Sequence, residues 1–159
     1  MCAAILLAAF LLFSAQAESS QGDAFLNRFQ GAWQGGGTAF GMPARLHMKW
    51  EWVLGRKFLR LTLKNEMRGA QTRIFEGHAY YQPAGEGKYE AMWFDSQGAS
   101  YSVKGNVEGD SLIALWGANQ KQGKSIYRFL EQGKIEVVDS VRQKDGTWKE
   151  FGRFVVVRE

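Results

Sequence analysis

From Ala44 to Val157, apolar and polar residues alternate with a period of two in one short run after another. Leu46, Met48, Trp50 and Trp52 oppose His47, Lys49 and Glu51; Leu59, Leu61 and Leu63 oppose Arg60, Thr62 and Lys64; Ile135, Val137, Asp139 and Val141 oppose Glu136, Ser140 and Arg142. That period belongs to strands with one face in a core and the other in water, so the apolar sets are expected to point inward. Turn signals separate the runs: Gly41-Met42-Pro43, Gly55-Arg56, Gly69-Ala70, Pro83 to Gly87, Ser96-Gln97-Gly98, Glu108-Gly109-Asp110, Gln120 to Gly123, Gln132-Gly133 and Lys144-Asp145-Gly146. The strands they bound are Ala32 to Phe40, Ala44 to Leu54, Lys57 to Arg68, Thr72 to Gln82, Lys88 to Asp95, Ala99 to Val107, Ser111 to Trp116, Lys124 to Glu131, Lys134 to Gln143 and Thr147 to Val157. In Thr72 to Gln82 and in Lys88 to Asp95 both parities carry aromatic residues, so the alternation assigns them no inner face.

Every connection is short enough for a hairpin, whereas a sandwich needs longer crossovers between its sheets. A meander that keeps pairing neighbours removes its exposed edges by curling until the first strand meets the last. The expected fold is therefore all-β, an up-and-down antiparallel β-barrel of about ten strands. Ahead of it, Asp23 can cap a short helix whose Phe25, Leu26 and Phe29 fall on one side and could close one barrel end.

The apolar run Cys2 to Phe13, followed by Ser14-Ala15-Gln16-Ala17, reads as a signal peptide over residues 1–17, although no Lys or Arg precedes it. It is too short to span a bilayer as a helix. Residues 18–24 then form a polar linker and residues 25–159 one barrel domain, in a periplasmic or secreted protein. Cys2 is the sole cysteine, so the barrel relies on packing without disulfides. The 20 basic residues are interleaved with 16 acidic ones and form no block, which argues against a nucleic-acid partner despite a net charge of +4.

The segment Gly31-Ala32-Trp33-Gln34-Gly35-Gly36-Gly37, directly after the short helix, resembles the opening of the lipocalin-like (calycin) barrels. The resemblance implies that Trp33 packs across one barrel end against an arginine from a late strand, Arg153 or Arg158. Phe75-Glu76-Gly77 with Tyr80-Tyr81, Trp93-Phe94-Asp95 and Asp145-Gly146 with Trp148 look like a bacterial lipocalin-like domain of unknown function. The longer glycine pattern is more distantly similar to nitrobindin. Nitrobindins hold haem through a histidine close to the C-terminus; here no histidine follows His78, which leaves His47 and His78 as substitutes, and no cofactor is expected.

Candidate chemistry is sparse. Glu76 and His78, two apart on a strand, share a face and make half a metal site, which Asp95 could complete. The same His78 with Glu76 or Asp95 could serve as a general base in a hydrolase or isomerase. No Gly-x-Ser-x-Gly or nucleophilic cysteine marks a catalytic centre, and Gly117 to Ser125 lacks the spacing of a phosphate loop. Six Trp, five Tyr and 11 Phe instead suit a barrel sheltering a small hydrophobic or amphipathic molecule. The expected lining is drawn from Met48, Trp50, His78, Tyr80, Trp93, Trp116 and Tyr127, with Asp95 and Asp139 as polar anchors. A filled barrel acting as a structural or interaction module is the third class.

Overall fold

The computed structural model of the protein describes residues 20–118 and 121–159, so the apolar N-terminal segment and its expected cleavage site lie outside the described residues. Helix α1 covers Ser20–Asn27 and begins ahead of Asp23, which is therefore inside the helix and not its cap. Ten strands follow: β1 Gly31–Ala39, β2 Met42–Val53, β3 Phe58–Arg68, β4 Thr72–Pro83, β5 Lys88–Asp95, β6 Ser100–Glu108, β7 Ser111–Trp116, β8 Gly123–Leu130, β9 Lys134–Arg142 and β10 Trp148–Arg158. Each pairs antiparallel with its sequence neighbours, and β1 closes the barrel on β10 with Trp33 opposite Arg158 and Ala39 opposite Gly152. This is the closed up-and-down antiparallel barrel that the alternation and the turn spacing imply.

The glycines of β1 permit that closure. A Cβ on Gly35 would fall 1.9 Å from the Val155 carbonyl oxygen, and one on Gly37 would fall 2.0 Å from that of Arg153. Only a residue without a side chain lets β1 lie this close to β10. On β10 the pairing with β9 shifts between Glu150 and Gly152, a bulge that bends the strand as it wraps back toward β1.

The α1 end is packed solid. Phe29 reaches into the barrel with its ring centroid 4.7 Å from Trp50 and 4.6 Å from Phe129, and Trp50 in turn meets Tyr81 and Tyr127 at 5.6 and 5.5 Å. Leu26, Phe29, Trp50, Leu59, Leu61, Leu112 and Ile135 are all shut away from water. Burying a side chain such as Leu26 or Phe29 stabilises the plug by about 2–3 kcal/mol each. The Trp52 indole N–H donates to Asn27 Oδ1 at 2.6 Å and fixes the end of the helix against β2.

The inner faces left open by the sequence are now assigned. Gly77, Ala79 and Tyr81 of β4 and Tyr89 and Ala91 of β5 point inward, with Trp93 continuing the β5 face. The large residues between them, Ile74, Tyr80, Met92 and Phe94, stand on the outer wall.

Candidate functional site

Two halves of the lumen differ. Toward α1 most inward side chains are excluded from water, and the partly buried rings of Trp52 and Phe129 are held against Asn27 and Phe25, whereas toward the opposite turns Phe75, Trp93, Asp95, Tyr101, Trp116 and Asp139 face inward and are only half-buried. The accessible interior is thus the mouth opposite the helix, and its lining is aromatic with a few polar groups.

Two tryptophans shape this mouth, each lying over a glycine of the adjacent strand. A Cβ on Gly77 would sit 2.1 Å from the Trp93 ring, and one on Gly123 would sit 2.0 Å from the Trp116 ring. The missing side chains let both indoles lie against the wall of the barrel. Phe75 stacks beside Trp93 with centroids 6.3 Å apart, and Tyr101 lies 5.9 Å from Trp116.

Both indole N–H groups are engaged within the protein. Trp93 donates to Asp95 Oδ2 at 3.2 Å, while Asp95 Oδ1 accepts the backbone N–H groups of Gln97 and Ala99 and so holds the β5–β6 turn. Trp116 donates to Ser125 Oγ at 3.1 Å, and the Ser125 hydroxyl in turn donates a hydrogen bond to Asp139 Oδ1 at 2.6 Å. Burial pushes the Asp139 carboxyl up to about 6, with the Ser125 hydrogen bond pulling the other way. Asp139 Oδ2 has no hydrogen-bond partner among the described residues and lies beside Gly152, where a Cβ would come into ordinary contact with it at 3.4 Å. Asn65, inward-facing on β3 between Leu63 and Met67, carries a buried Oδ1 that is also without a partner.

The residues singled out from the sequence divide into three groups. Trp93, Asp95, Trp116 and Asp139 come together at the mouth. Met48, Trp50 and Tyr127 point inward but belong to the filled half, where they are core. His78 and Tyr80 do not line the lumen at all: with Gly77, Ala79 and Tyr81 inward, the pleat turns His78 and Tyr80 out. Tyr80 lies on the outer wall opposite Arg60.

That parity also separates His78 from Asp95. His78 and Glu76 share the exposed outer face while Asp95 points inward, so neither the general-base pair with Asp95 nor the completed metal site is assembled. Among the described residues no group of three or more His, Cys, Asp or Glu could hold a metal ion. His47 is likewise on the outer face of β2, between inward Leu46 and Met48, so no histidine reaches the lumen to ligate haem and the residues present do not fit that group.

At the α1 end, Arg158 and not Arg153 completes the closure. Its guanidinium lies 4.3 Å from the Trp33 ring centroid and donates to the Gln30 and Arg28 carbonyl oxygens, while the Trp33 indole N–H donates to Phe29 O at 2.6 Å. Arg153 has the opposite parity and forms an outer network with Glu136 and Glu150.

Two surface clefts lie outside the wall. One of about 550 Å³ runs over Gly36 between Gln34, Arg45, Arg68 and Val157, and one of about 310 Å³ crosses Phe58, Tyr80, Met92 and Ser102. Both are open, and neither shares a residue with the aromatic and polar lining of the mouth.

Sequence reasoning missed Asn65, Tyr101, Gly123, Ser125 and Gly152, and singled out Phe75 and Gly77 only as part of a family-like motif without a place at the site. The available signal was register: Gly123 is the direct cross-strand partner of Trp116, and a glycine opposite a tryptophan marks room for the indole.

No protein-family model matches the sequence, and no curated protein matches it by sequence. Solved structures do resemble it. The crystal structure of Rv2717c from M. tuberculosis is 15% identical, with a TM-score of 0.69 over 90% of this chain and 99% of that one. The S-type phycobiliprotein lyase CpeS from Guillardia theta is 10% identical, with a TM-score of 0.61 over 91% of this chain and 98% of that one. At such identities the likeness establishes a shared lipocalin-like barrel fold.

Proposed function

We propose that this protein is an exported, non-catalytic barrel that binds a small, flat, hydrophobic or amphipathic molecule in the mouth opposite α1. The observation that carries the reading is the pairing of Trp93 with Gly77 and of Trp116 with Gly123, which lays two indoles along the wall at the accessible end of the lumen. A barrel that only needed filling would be served by residues pointing across the lumen, as Trp50 and Phe29 do at the other end. The polar groups are few and placed among the aromatics, as small-molecule sites require. A phycobiliprotein lyase of the same fold is compatible with small-molecule binding on this architecture.

The test is native mass spectrometry of the protein recovered from its own host, followed by denaturation and identification of whatever is released. A stoichiometric small molecule that is lost in Trp93→Ala and retained in an outer-wall variant such as Met92→Ser supports the reading. A bare mass that gains nothing on soaking with aromatic and lipid-like compounds overturns it in favour of a filled structural barrel.

A further inference from the structure

We infer that the mouth recognises a flat organic cation, a planar aromatic ring system bearing a protonated or quaternary nitrogen, held between the Trp116 face and the free oxygen of Asp139. The inference rests on the mouth being the binding site, and it adds the chemical class of the ligand.

Three observations converge. The Trp93 indole N–H already points at Asp95, that of Trp116 at the Ser125 hydroxyl oxygen and the Ser125 hydroxyl proton at Asp139, so these donors are not offered to a ligand. What the tryptophans offer is their ring faces, whose quadrupole is negative and attracts cations. Asp139 Oδ2 remains open beside Gly152, next to Trp116 through Ser125. A neutral ligand covering that carboxylate would desolvate it without compensation, and an anion would meet both the carboxylate and the negative ring faces. A cation satisfies both.

Protonation would set the strength of this recognition. The carboxyl is pushed up to about 6 by its burial, so it is mostly ionised at neutral pH and a bound cation would hold it so. The titratable groups around it are the Tyr81 and Tyr127 phenols, which burial keeps neutral, and Asp95, which is tied into its turn. Lys149, opposite Val141 on β10, and Arg73, opposite Met67 on β4, share the inward parity only at the exposed strand ends.

The test compares three anthracene-sized probes at neutral pH by tryptophan quenching and calorimetry: 9-aminoacridine as the cation, 9-anthracenemethanol as the neutral form and 9-anthracenecarboxylate as the anion. The expected order is cation over neutral by about tenfold, with the anion weakest. Asp139→Asn, which keeps an acceptor for Ser125, should bring the cation-to-neutral ratio toward one. Should that variant misfold, the ratio for the unaltered protein at about pH 5 against about pH 7 serves instead, and it should fall on acidification. Neutral or anionic probe binding as tightly as the cation, or a ratio indifferent to both Asp139 and pH, overturns this inference while leaving a binding mouth intact. Failure of all three probes to bind removes the mouth as a site for flat aromatic molecules, and the inference with it.

Discussion

Arg158 of the last strand lies over the ring of Trp33 in the first, and the same guanidinium donates to the backbone carbonyls of Gln30 and Arg28 where α1 runs into β1. One side chain thereby joins the closing seam of the barrel to the plug at its end. Removing it leaves the Arg28 and Gln30 carbonyls without that donor and uncovers the indole. Arg158→Ala is expected to cost about 1–2 kcal/mol and to lower the melting temperature by about 5 °C in a thermal melt followed by circular dichroism. Arg153→Ala, which disrupts an exposed network, should cost no more than about 1 kcal/mol.

Trp33 and Trp50 are both shut away from water, but their indole nitrogens differ. Trp33 has an acceptor in the Phe29 carbonyl, whereas the Trp50 Nε1 has none among the rings that surround it. Trp33→Phe strands a buried carbonyl, while Trp50→Phe removes a donor that was already unsatisfied. Urea denaturation should therefore show Trp33→Phe to be the more costly of the two by about 1–3 kcal/mol. Equal costs would mean that ring volume alone decides both.

Gly77→Ala and Gly123→Ala each place a methyl inside the ring of a tryptophan, at 2.1 and 2.0 Å, and the indole must swing away from the wall. Each is expected to cost about 1–3 kcal/mol and to change the near-ultraviolet circular dichroism of the aromatic residues. Gly36→Ala meets nothing within 4 Å and should be tolerated. Ligand affinity should fall in the first two variants and hold in the third.

Asp139 makes stability depend on pH in the direction opposite to that of a salt-bridged acid. Its folded pKa of about 6 lies above the ordinary value of 3.8, so between those two the native state binds more protons than the unfolded state. Its contribution accordingly becomes less favourable as pH rises through that window, by at most about 3 kcal/mol. Glu51, Glu66, Asp145 and Glu150, whose pKa values are lowered by hydrogen bonds to Arg60, Lys64, Thr147 and Arg153 respectively, act the other way and lose stabilisation as pH falls. Comparing Asp139→Asn with the unaltered protein isolates the one group. In urea melts the variant should be the more stable at neutral pH, and that advantage should vanish below about pH 4.

The ten strands were legible because their turns are glycine-rich and their cores are large apolar residues on one parity, as in Leu59, Leu61 and Leu63. Legibility failed on β4, where the inward positions Gly77 and Ala79 are small and the outward Ile74, Tyr80 and the neighbouring Met92 and Phe94 are large. The volume missing at Gly77 is supplied by Trp93 from the adjacent strand, a relation that no single strand's pattern contains. His78 was misassigned to the lumen for the same reason. The family resemblance asks only for an arginine on a late strand, which Arg153 and Arg158 satisfy alike; the strand runs to Arg158, which shares the inward parity of Phe154 and Val156. Asp139, by contrast, was visible from sequence alone, as a lone carboxylate in the apolar series of Ile135, Val137 and Val141.

The seam between β1 and β10 also orders events during biosynthesis. Trp33 and the Arg28 and Gln30 carbonyls belong to the earliest part of the barrel to leave the ribosome, and the arginine that fastens them belongs to the latest. Contacts so far apart in sequence carry a large loop-closure cost and form late. The plug can therefore be latched only after β10 has been made, which leaves this end of the barrel unfastened until its last strand pairs with its first.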